Sequence, residues 1–410
     1  MLLSLNISWK FFHISMTYKK SMHLRYPYVN ILRWKIHCFH FFGVLGFICG
    51  TALGVFLASY LNLHPYIIFL MTGVGAATFF LLAFAAKIIT GEETIVYYHH
   101  EIAILIFCSL TLYLIHYPVL PYIDVTLLGI GTFLAFGRIG CFNVGCCHGK
   151  TCKKGIVYSP AHVEEGFTFY YEGVPLLPVQ LIESAFVFCV VITGTFLLFN
   201  HSAPGTVLIL YTVVYGAFRF AIEFFRGDPE RPYWQGLSEA QWTTLILIAI
   251  TLVLSFDGYL PFYYWHWIIF LILAIGSCYI IFLKSRDNEY RLLNPRHIQE
   301  IATALQYLSD QENNLSRSNN GLIKIYETHE GLFISSGFQK EENSLMQHYT
   351  LSGNKKLMLN SCVVNKMAKI IGLIKKHSPQ FEMIEKENRV YHLIFKEEAI
   401  IRESQLETIG

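Results

Sequence analysis

The sequence predicts a polytopic all-α membrane bundle of seven or eight transmembrane helices, followed by a small soluble α+β domain. Hydrophobic residues make up 54% of the 410 residues and charged residues only 15%, whereas an ordinary soluble domain carries about 25% charge. The charge is also uneven, because no Asp or Glu precedes Glu92 and more than half of the charged side chains lie from Lys284 onward. The formal net charge of +2 argues against a strongly basic nucleic-acid binder.

Apolar runs of about 17–25 residues are long enough to cross a bilayer as helices. A buried helix of a soluble protein could explain any one such run, but it does not explain a long series of them. The runs are continuous rather than alternating, which argues against a membrane β-barrel. The third run is short, so a re-entrant or tilted segment remains open for it. The predicted spans are 39–61, 66–86, 102–115, 120–138, 179–199, 205–225, 241–256 and 262–283.

The chain divides into three parts. Residues 1–38 are basic and contain no acid, and they show no clear signal-peptide core or cleavage site. Residues 39–283 form the membrane body. Residues 284–410 carry mixed charges without a nucleic-acid face or a catalytic constellation, so we expect a binding or regulatory role for them. In this tail the pattern predicts helices at 294–310 and 361–376, strands at 321–327 and 332–338, a hairpin across 381–396 and a linker at 311–320.

Ionisable residues inside the bundle are scarce, and intramembrane charge usually marks function because it is costly. Arg138 ends the fourth run, while Arg219, Glu223 and Arg226 follow i, i+4, i+7 spacing in the sixth and would share one helix face. An internal ion pair with a snorkelling arginine is the alternative. Arginine keeps its charge and offers a planar fork of donors to phosphate. Two separate arginine sites therefore predict a phospholipid headgroup as ligand.

Two further polar pairs lie at the ends of predicted spans. Gln180 and Glu183 are i, i+3 neighbours at the start of the fifth run, where a merely polar helix start is the alternative. His99 and His100 stand among carboxylates between the second and third runs. Histidine beside a carboxylate can act as a general base, and a solvated loop is equally consistent with this pattern.

Four cysteines and a histidine fall close together after the fourth run: Cys141, Cys146, Cys147, His148 and Cys152. Cysteine and histidine are zinc ligands, and a disulfide would fit an oxidising compartment. The spacing matches no standard pair of zinc knuckles, and no second cluster exists elsewhere in the sequence. We therefore interpret the segment as a glycine-rich loop with incidental thiols, and we predict no metal and no cofactor.

The order and spacing of these motifs resemble the prolipoprotein diacylglyceryl transferase family over about residues 30–256. The matching stretches are Gly-Arg-Ile-Gly with its glycine-rich continuation at 137–149, Pro-x-Gln-Leu-x-Glu at 178–183, Tyr-Gly-x-x-Arg-x-x-x-Glu-Phe-x-Arg at 215–226 and Ser-x-x-Gln at 238–241. Each motif is weak alone, and together they are fairly specific. The resemblance implies that substrate is bound by Gly140, Asn143, Gly149, Gln180, Glu183, Tyr215, Arg226 and Gln241.

The resemblance also implies a reaction. The diacylglyceryl group of phosphatidylglycerol would move to the lipobox cysteine thiol in the signal peptide of a prolipoprotein, and glycerol phosphate would leave. Arg138 and Arg219 would hold the phosphate and stabilise its leaving charge, Glu223 would orient Arg219, and His99 or His100 would deprotonate the thiol. The implied setting is a multi-pass protein of the bacterial cell (inner) membrane, with the lipid bilayer as partner and without nucleic acid.

The chain departs from the family pattern at three places. Cys141 stands where the family often has Asn after Gly-Arg-Ile-Gly, and Phe39 replaces a tyrosine of the first span. The glycine pair of the family's His/Tyr-Gly-Gly loop is replaced by His99 and His100 after Tyr98. These departures leave an alternative open: a non-catalytic or substrate-shifted membrane paralogue that binds phospholipid and signals through its C-terminal domain.

Overall fold

The computed structural model is mostly helical in the part of the chain that it describes. Seven helices there are long and apolar enough to cross a membrane, which confirms the predicted bundle. They are Cys38–Tyr60, Pro65–Ile89, Val119–Val144, Val179–Phe199, Thr206–Phe225, Glu239–Phe256 and Tyr264–Leu283. The described residues are 27–31, 33–91, 97–229, 232–286, 288–315, 324–341, 344–354, 357, 359–377 and 380–398.

The third predicted run is a helix of 18 residues that does not join these seven. Its first five residues include two histidines and a glutamate, which lower the hydropathy of the whole helix. Most of the basic N-terminal segment and residues 92–96 lie outside the described residues. In chain order the helices are α1 (Cys38–Tyr60), α2 (Pro65–Thr90), α3 (Tyr97–Leu114), α4 (Val119–Val144), α5 (Pro160–Val163), α6 (Val179–Phe199), α7 (Thr206–Ile209), α8 (Gly216–Ile222), α9 (Glu239–Phe256), α10 (Tyr264–Arg286), α11 (Asn288–Leu292), α12 (Pro295–Leu315) and α13 (Ser361–Lys375).

Helix α4 runs through the centre of the bundle, where it packs against α1 and α6. In its membrane-spanning segment 56% of the residues are buried inside the protein, whereas the share is 11% for Tyr264–Leu283. Glycines bring α1 and α4 together, because a Cβ placed on Gly50 would lie 2.5 Å from the Gly129 carbonyl oxygen. Small residues at such a crossing let two helix backbones approach closely. This packing holds Arg138, near the C-terminal end of α4, inside the bundle.

The sixth predicted run is continuous but not uniformly α-helical. A π-helical turn over Leu210–Tyr215 separates α7 from α8, and a 3₁₀ turn over Glu223–Phe225 ends the stretch. Insertions of this kind change which side chains share a helix face, and they are frequent at functional sites. Here the 3₁₀ turn ends the helix just before Arg226, whose backbone is extended.

The buried carboxylate of Asp124 anchors the start of this stretch, and it was not predicted from the sequence. Asp124 of α4 accepts hydrogen bonds from the backbone amides of Gly205 at 2.6 Å and Leu208 at 2.8 Å. Amides in the first turn of a helix have no partner within it, and a negative charge there is favourable. Asp124 therefore joins α4 to the N-terminal turn of α7 and fixes the position of that turn along α4.

The segment between α4 and α6 folds into a small unit, residues 145–178, called the cap below. It contains α5, strand β3 (Thr151–Ile156) and a 3₁₀ turn over Phe169–Tyr171. Two hairpins lie elsewhere in the membrane body, β1 (Tyr28–Ile31) with β2 (Trp34–His37) and β4 (Tyr233–Trp234) with β5 (Leu237–Ser238). The buried apolar core of the cap consists of Tyr158, Phe167, Val174 and Leu176.

The tail is an antiparallel five-stranded sheet with α12 and α13 contributing to its core. Helix α12 continues to Leu315, into the predicted linker, and strand β8 was missed by the sequence reading. Of the predicted strand at 321–327, residues 321–323 lie outside the described part. The strands, in sheet order β6-β7-β8-β10-β9, are β6 (Tyr326–Glu327), β7 (Leu332–Glu341), β8 (Ser344–Gly353), β9 (Phe381–Lys386) and β10 (Val390–Glu398).

The tail packs against the cap. Tyr170 of the cap shares a small apolar cluster with Ile298 and Ala302 of α12. Beside it, the Lys376 ammonium lies 3.6 Å from a carboxylate oxygen of Glu172. The 3₁₀ turn of the cap is therefore one surface through which the described residues of the tail contact the rest of the chain.

Candidate active site

A buried charged network joins α4, α6 and the span Thr206–Phe225. The Glu183 carboxylate lies between two guanidinium groups, with the Arg138 Nε at 2.8 Å and the Arg219 Nε at 3.5 Å. The Tyr215 hydroxyl donates to the same carboxylate at 3.0 Å, and Arg219 also pairs with Glu223 one turn later. All five side chains are buried. The structure therefore brings together four predicted ionisable residues from three separate motifs.

This network is formally neutral, because Arg138 and Arg219 are matched by Glu183 and Glu223. A charge buried without a partner costs several kcal/mol, so matching is what allows these side chains to stay in the bundle. A guanidinium has five N–H donors, and a carboxylate on one edge leaves others to point elsewhere. The network can therefore hold its own carboxylates and still offer N–H donors to an anion.

Arg226 stands beside this network but leaves the helix face predicted for it. Its Nε and Nη2 donate to the two carboxylate oxygens of Asp228 at 2.8 and 2.9 Å. Its Nη1 is buried and has no hydrogen-bond partner in the described part of the protein. The neighbouring Gly227 amide donates to the His148 carbonyl at 3.0 Å, so the backbone after the span Thr206–Phe225 is bound to the cap. An unpartnered buried donor of this kind suits an anionic ligand.

Two of the predicted substrate-binding residues are amides with different surroundings. The Gln180 amide nitrogen donates to the Cys146 carbonyl at 2.8 Å, and its oxygen is buried without a partner among the described residues. Gln241 forms a capping box with Ser238 at the start of α9 and donates to the Phe220 carbonyl at 3.1 Å. Gln241 thus ties α9 to α8, whereas Gln180 keeps an acceptor available.

Three more predicted binding residues shape the backbone. A Cβ on Gly140 would lie 3.1 Å from the Phe39 Cα of α1, and one on Gly149 would lie 2.5 Å from the Leu177 carbonyl oxygen. Gly149 therefore needs to be glycine, whereas a side chain at position 140 would require α1 to shift by a few tenths of an ångström. The Asn143 amide donates to a carbonyl one turn earlier in α4, at 2.8 Å. Their part in binding substrate remains a prediction.

The two histidines proposed as bases lie in the first turn of α3, in different environments. The His99 Nε2 is 2.5 Å from a carboxylate oxygen of Glu239, and the His99 side chain is 58% exposed. His100 is buried with its ring 4.8 Å from that of Phe79. The structure thus pairs His99 with a half-exposed carboxylate of α9 rather than with an arginine of the network.

Two buried polar residues beside these histidines were not predicted as site residues from the sequence. Tyr98 is buried and lies within electrostatic range of Arg219 and Glu183. Glu101 is buried, shares a hydrogen bond with Tyr211, and keeps one carboxylate oxygen without a partner in the described structure. Tyr98 and Glu101 are i, i+3 neighbours and would share one face of a helix. Extending the helical periodicity of the third run backwards by one turn would have found them.

Three thiols converge where α4 meets the cap. The Sγ atoms of Cys141, Cys146 and Cys147 all lie within 4.8 Å of one another, whereas Cys152 sits apart on β3. All ten cysteines belong to the described residues and are free thiols. His148 follows directly, and burial lowers the pKa of its imidazole. Its Nδ1 is 2.9 Å from the Gly149 carbonyl oxygen.

Comparison with known proteins identifies the family of the chain. The family model for prolipoprotein diacylglyceryl transferase matches residues 27–256, the part that holds every site residue above. A phosphatidylglycerol–prolipoprotein diacylglyceryl transferase of Clostridium tetani is 34% identical over 140 residues, which are 33% of this chain and 52% of that protein. A second such transferase, of Clostridium perfringens, is 34% identical over 116 residues, 27% of this chain and 42% of that protein. One of Dehalococcoides mccartyi is 33% identical over 138 residues, 33% and 50% of the two chains. The chain thus spans about half the length of the curated relatives it matches.

Proposed function

The chain belongs to the prolipoprotein diacylglyceryl transferase family, and we propose that it transfers the diacylglyceryl group of phosphatidylglycerol to the lipobox cysteine of a prolipoprotein. The seven apolar helices of its described residues and its family make it a multi-pass membrane protein. We further propose that it works in the bacterial cell (inner) membrane, where it takes its lipid from the bilayer and its acceptor as a signal peptide. The observation that carries the proposal is the buried network of Arg138, Glu183, Arg219 and Glu223.

The proposed reaction is a substitution at the glyceryl carbon that bears the phosphate ester. The lipobox thiol loses its proton, a sulfur–carbon bond forms, and the carbon–oxygen bond breaks with its electron pair leaving on glycerol phosphate. Negative charge therefore grows on the phosphate as the bond breaks. Arg138 and Arg219 supply fixed donors at that place, and a group whose charge is already in position stabilises such a transition state most. Glu183 and Glu223 orient the two guanidinium groups.

Arg226 supports the same assignment. Its Asp228 partner fixes the plane of the guanidinium through two hydrogen bonds, while Nη1 keeps a donor unused. A fixed fork with one open donor is suited to a phosphate oxygen. We propose that Arg226 holds the glycerol phosphate part of the lipid, while the two central arginines act on the oxygen that leaves.

We propose Glu101 as the acceptor of the thiol proton, in addition to the sequence-based candidates His99 and His100. A general base must lie inside the site and have an open lone pair. Glu101 is buried with one unpartnered carboxylate oxygen. His99 is instead more than half exposed and paired with Glu239.

Lipidation in cells tests the transferase proposal. The full chain would be expressed in bacteria depleted of their own transferase, with a reporter prolipoprotein whose added mass is measured. We expect the parent to modify the reporter. Arg138→Ala and Arg219→Ala should each lower the rate by about 10²–10³-fold, the usual effect of removing one stabilising donor. Arg291→Ala is the matched control, because that arginine lies in the tail with its side chain 54% exposed.

The outcome separates the transferase from the non-catalytic alternative. A parent protein that reaches its normal level in the membrane yet leaves the reporter unmodified would overturn the proposal. If that protein still bound phosphatidylglycerol vesicles, the phospholipid-binding paralogue would take its place. The relatives described above are named as transferases, and we therefore favour catalysis.

A further inference from the structure

The end of α4 folds so that three thiols meet. Helix α4 ends at Val144, and Gly145 follows in the left-handed conformation with φ +93°. Cys147 is also left-handed, with φ +57°, a backbone conformation that residues other than glycine adopt only when their surroundings enforce it. The tight turn brings Cys146 and Cys147 back over Cys141, which lies in the last turn of the helix. All three Sγ atoms then lie within 4.8 Å of one another.

This spacing is close to that of a thiolate metal site. Zinc–sulfur bonds are about 2.3 Å long, so thiolates on a tetrahedral ion lie roughly 3.8 Å apart. Movements of about 1 Å or less would therefore seat the three sulfur atoms on one ion. Thiolates select soft cations such as zinc(II) and copper(I) over harder ones. A single disulfide would use only two of the three sulfurs and leave the third without a role.

The electrostatic surroundings also fit an anionic metal–thiolate group. Cys147 lies within electrostatic range of both Arg138 and Arg226. Three thiolates around zinc(II) carry a net charge of −1, and around copper(I) a net charge of −2. Two nearby guanidinium groups, each also paired with a carboxylate, lower the cost of such a charge in a buried setting.

We propose that Cys141, Cys146 and Cys147 form a binding site for one thiophilic d¹⁰ cation, zinc(II) or copper(I). Binding exchanges three S–H protons for three metal–sulfur bonds and involves no change of oxidation state at sulfur. The ion links the last turn of α4 to the start of the cap. It also fixes the Cys146 carbonyl, which holds the Gln180 amide of α6. The ion therefore braces the helix that carries Arg138 against the helix that carries Glu183, whatever reaction takes place there.

The test is metal binding by the full-length protein in detergent, with all thiols reduced and oxygen excluded. Zinc(II) and copper(I) would be titrated separately in competition with coloured chelators, and bound metal would be measured by mass spectrometry. We expect about one ion per chain in the parent, and about none in Cys147→Ser and Cys141→Ser, because two sulfurs do not hold the ion against a chelator. Cys152→Ser is the matched control, since this cysteine lies in the same cap but outside the cluster. It should bind like the parent.

Size-exclusion chromatography in detergent shows whether each variant is folded, because a folded variant elutes at the same volume as the parent. If Cys147→Ser aggregates, metal binding is measured in Cys146→Ser instead. The effect of a chelator on the melting temperature of the parent then tests the site without any substitution. A chelator should lower that temperature in the parent and in Cys152→Ser but not in a variant of the cluster. The proposal is overturned if the reduced parent binds neither metal, or if Cys152→Ser loses the ion as well. It is also overturned if the parent, purified without reductant, gains two free thiols on reduction while the triple variant Cys141→Ser/Cys146→Ser/Cys147→Ser gains none, since a disulfide then occupies the cluster.

Discussion

Replacing Glu183 by Gln tests whether one carboxylate holds the two central arginines. The substitution keeps the size of the side chain and one hydrogen-bond acceptor, but it removes the charge. Arg138 and Arg219 then face each other across an amide, with only Glu223 to balance them. The bundle gains a net buried charge of +1, and we expect both stability and catalysis to fall.

The magnitude follows from the two ion-pair distances. At an effective dielectric constant of about 20, unit charges 2.8 and 3.5 Å apart attract each other by roughly 6 and 5 kcal/mol. Desolvation of the charges cancels much of this attraction, and removing one partner of a buried pair costs about 3–5 kcal/mol in practice. Because Glu183 serves two guanidinium groups, we expect a loss of about 4–5 kcal/mol in the free energy of unfolding.

Denaturant unfolding in detergent measures this loss. Glu330→Gln is the matched control, since Glu330 pairs with Arg291 at 2.5 Å on the surface of the tail, where a pair contributes about 0–1 kcal/mol. Adding Arg138→Met to Glu183→Gln should recover part of the stability, because it removes the unbalanced charge, while lipidation stays lost. A Glu183→Gln protein as stable as the Glu330→Gln control would refute the role given to Glu183.

Two further predictions concern the frame around the site, and both are read from unfolding in the same detergent. Gly50→Ala should destabilise the protein by about 1–3 kcal/mol, because its Cβ would lie 2.5 Å from the Gly129 carbonyl oxygen. Gly43→Ala is the control and should not destabilise it, because there is open space around Gly43. Equal stability of the two variants would contradict the α1–α4 contact. Asp124→Asn should cost about 1–2 kcal/mol, because a charged acceptor of two backbone amides becomes a neutral one. Asp257→Asn, at the end of α9, is the control for that change, and a smaller loss for Asp124→Asn than for this control would contradict the anchoring role.

Long apolar runs made the membrane body predictable from sequence. Seven of the eight predicted runs coincide with the helices that are long and apolar enough to span a membrane. The remaining run is also helical, but its start was hidden because histidines and Glu101 interrupt the apolar pattern. In the tail, strand β8 was missed and α12 was cut short at 310. Strands identified by alternation alone are weak signals, because the pairing of β8 with β7 and β10 is set by tertiary contacts.

The candidate site was predictable where charge stood out against an apolar background. Arg138, Glu183, Arg219 and Glu223 are conspicuous in apolar runs, and the structure joins them. Arg226 was predicted on the same helix face because the helix was assumed to continue, but a 3₁₀ turn ends it first. The convergence of the three thiols depends on the left-handed backbone of Cys147, and spacing in a sequence does not reveal that conformation.

Charge balance inside the bundle distinguishes the candidate proton acceptors. If the thiol proton moves to buried Glu101, the new thiolate and the newly neutral carboxyl leave the net charge of the site unchanged. If it moves to His99, which is 58% exposed, the positive charge forms near the surface while the thiolate stays in a medium that screens it poorly. The first route avoids burying an extra charge.

We therefore expect Glu101→Gln to lower reporter lipidation by about 10²-fold or more, as loss of a general base does. His99→Ala should lower it by less than about tenfold. The rate should be measured with the reporter at saturating level, so that weaker binding of the signal peptide is not mistaken for slower chemistry. The reverse order of the two variants would place the base at the α3–α9 surface. The reaction would then need the phosphate arginines to balance the thiolate as well as the leaving group.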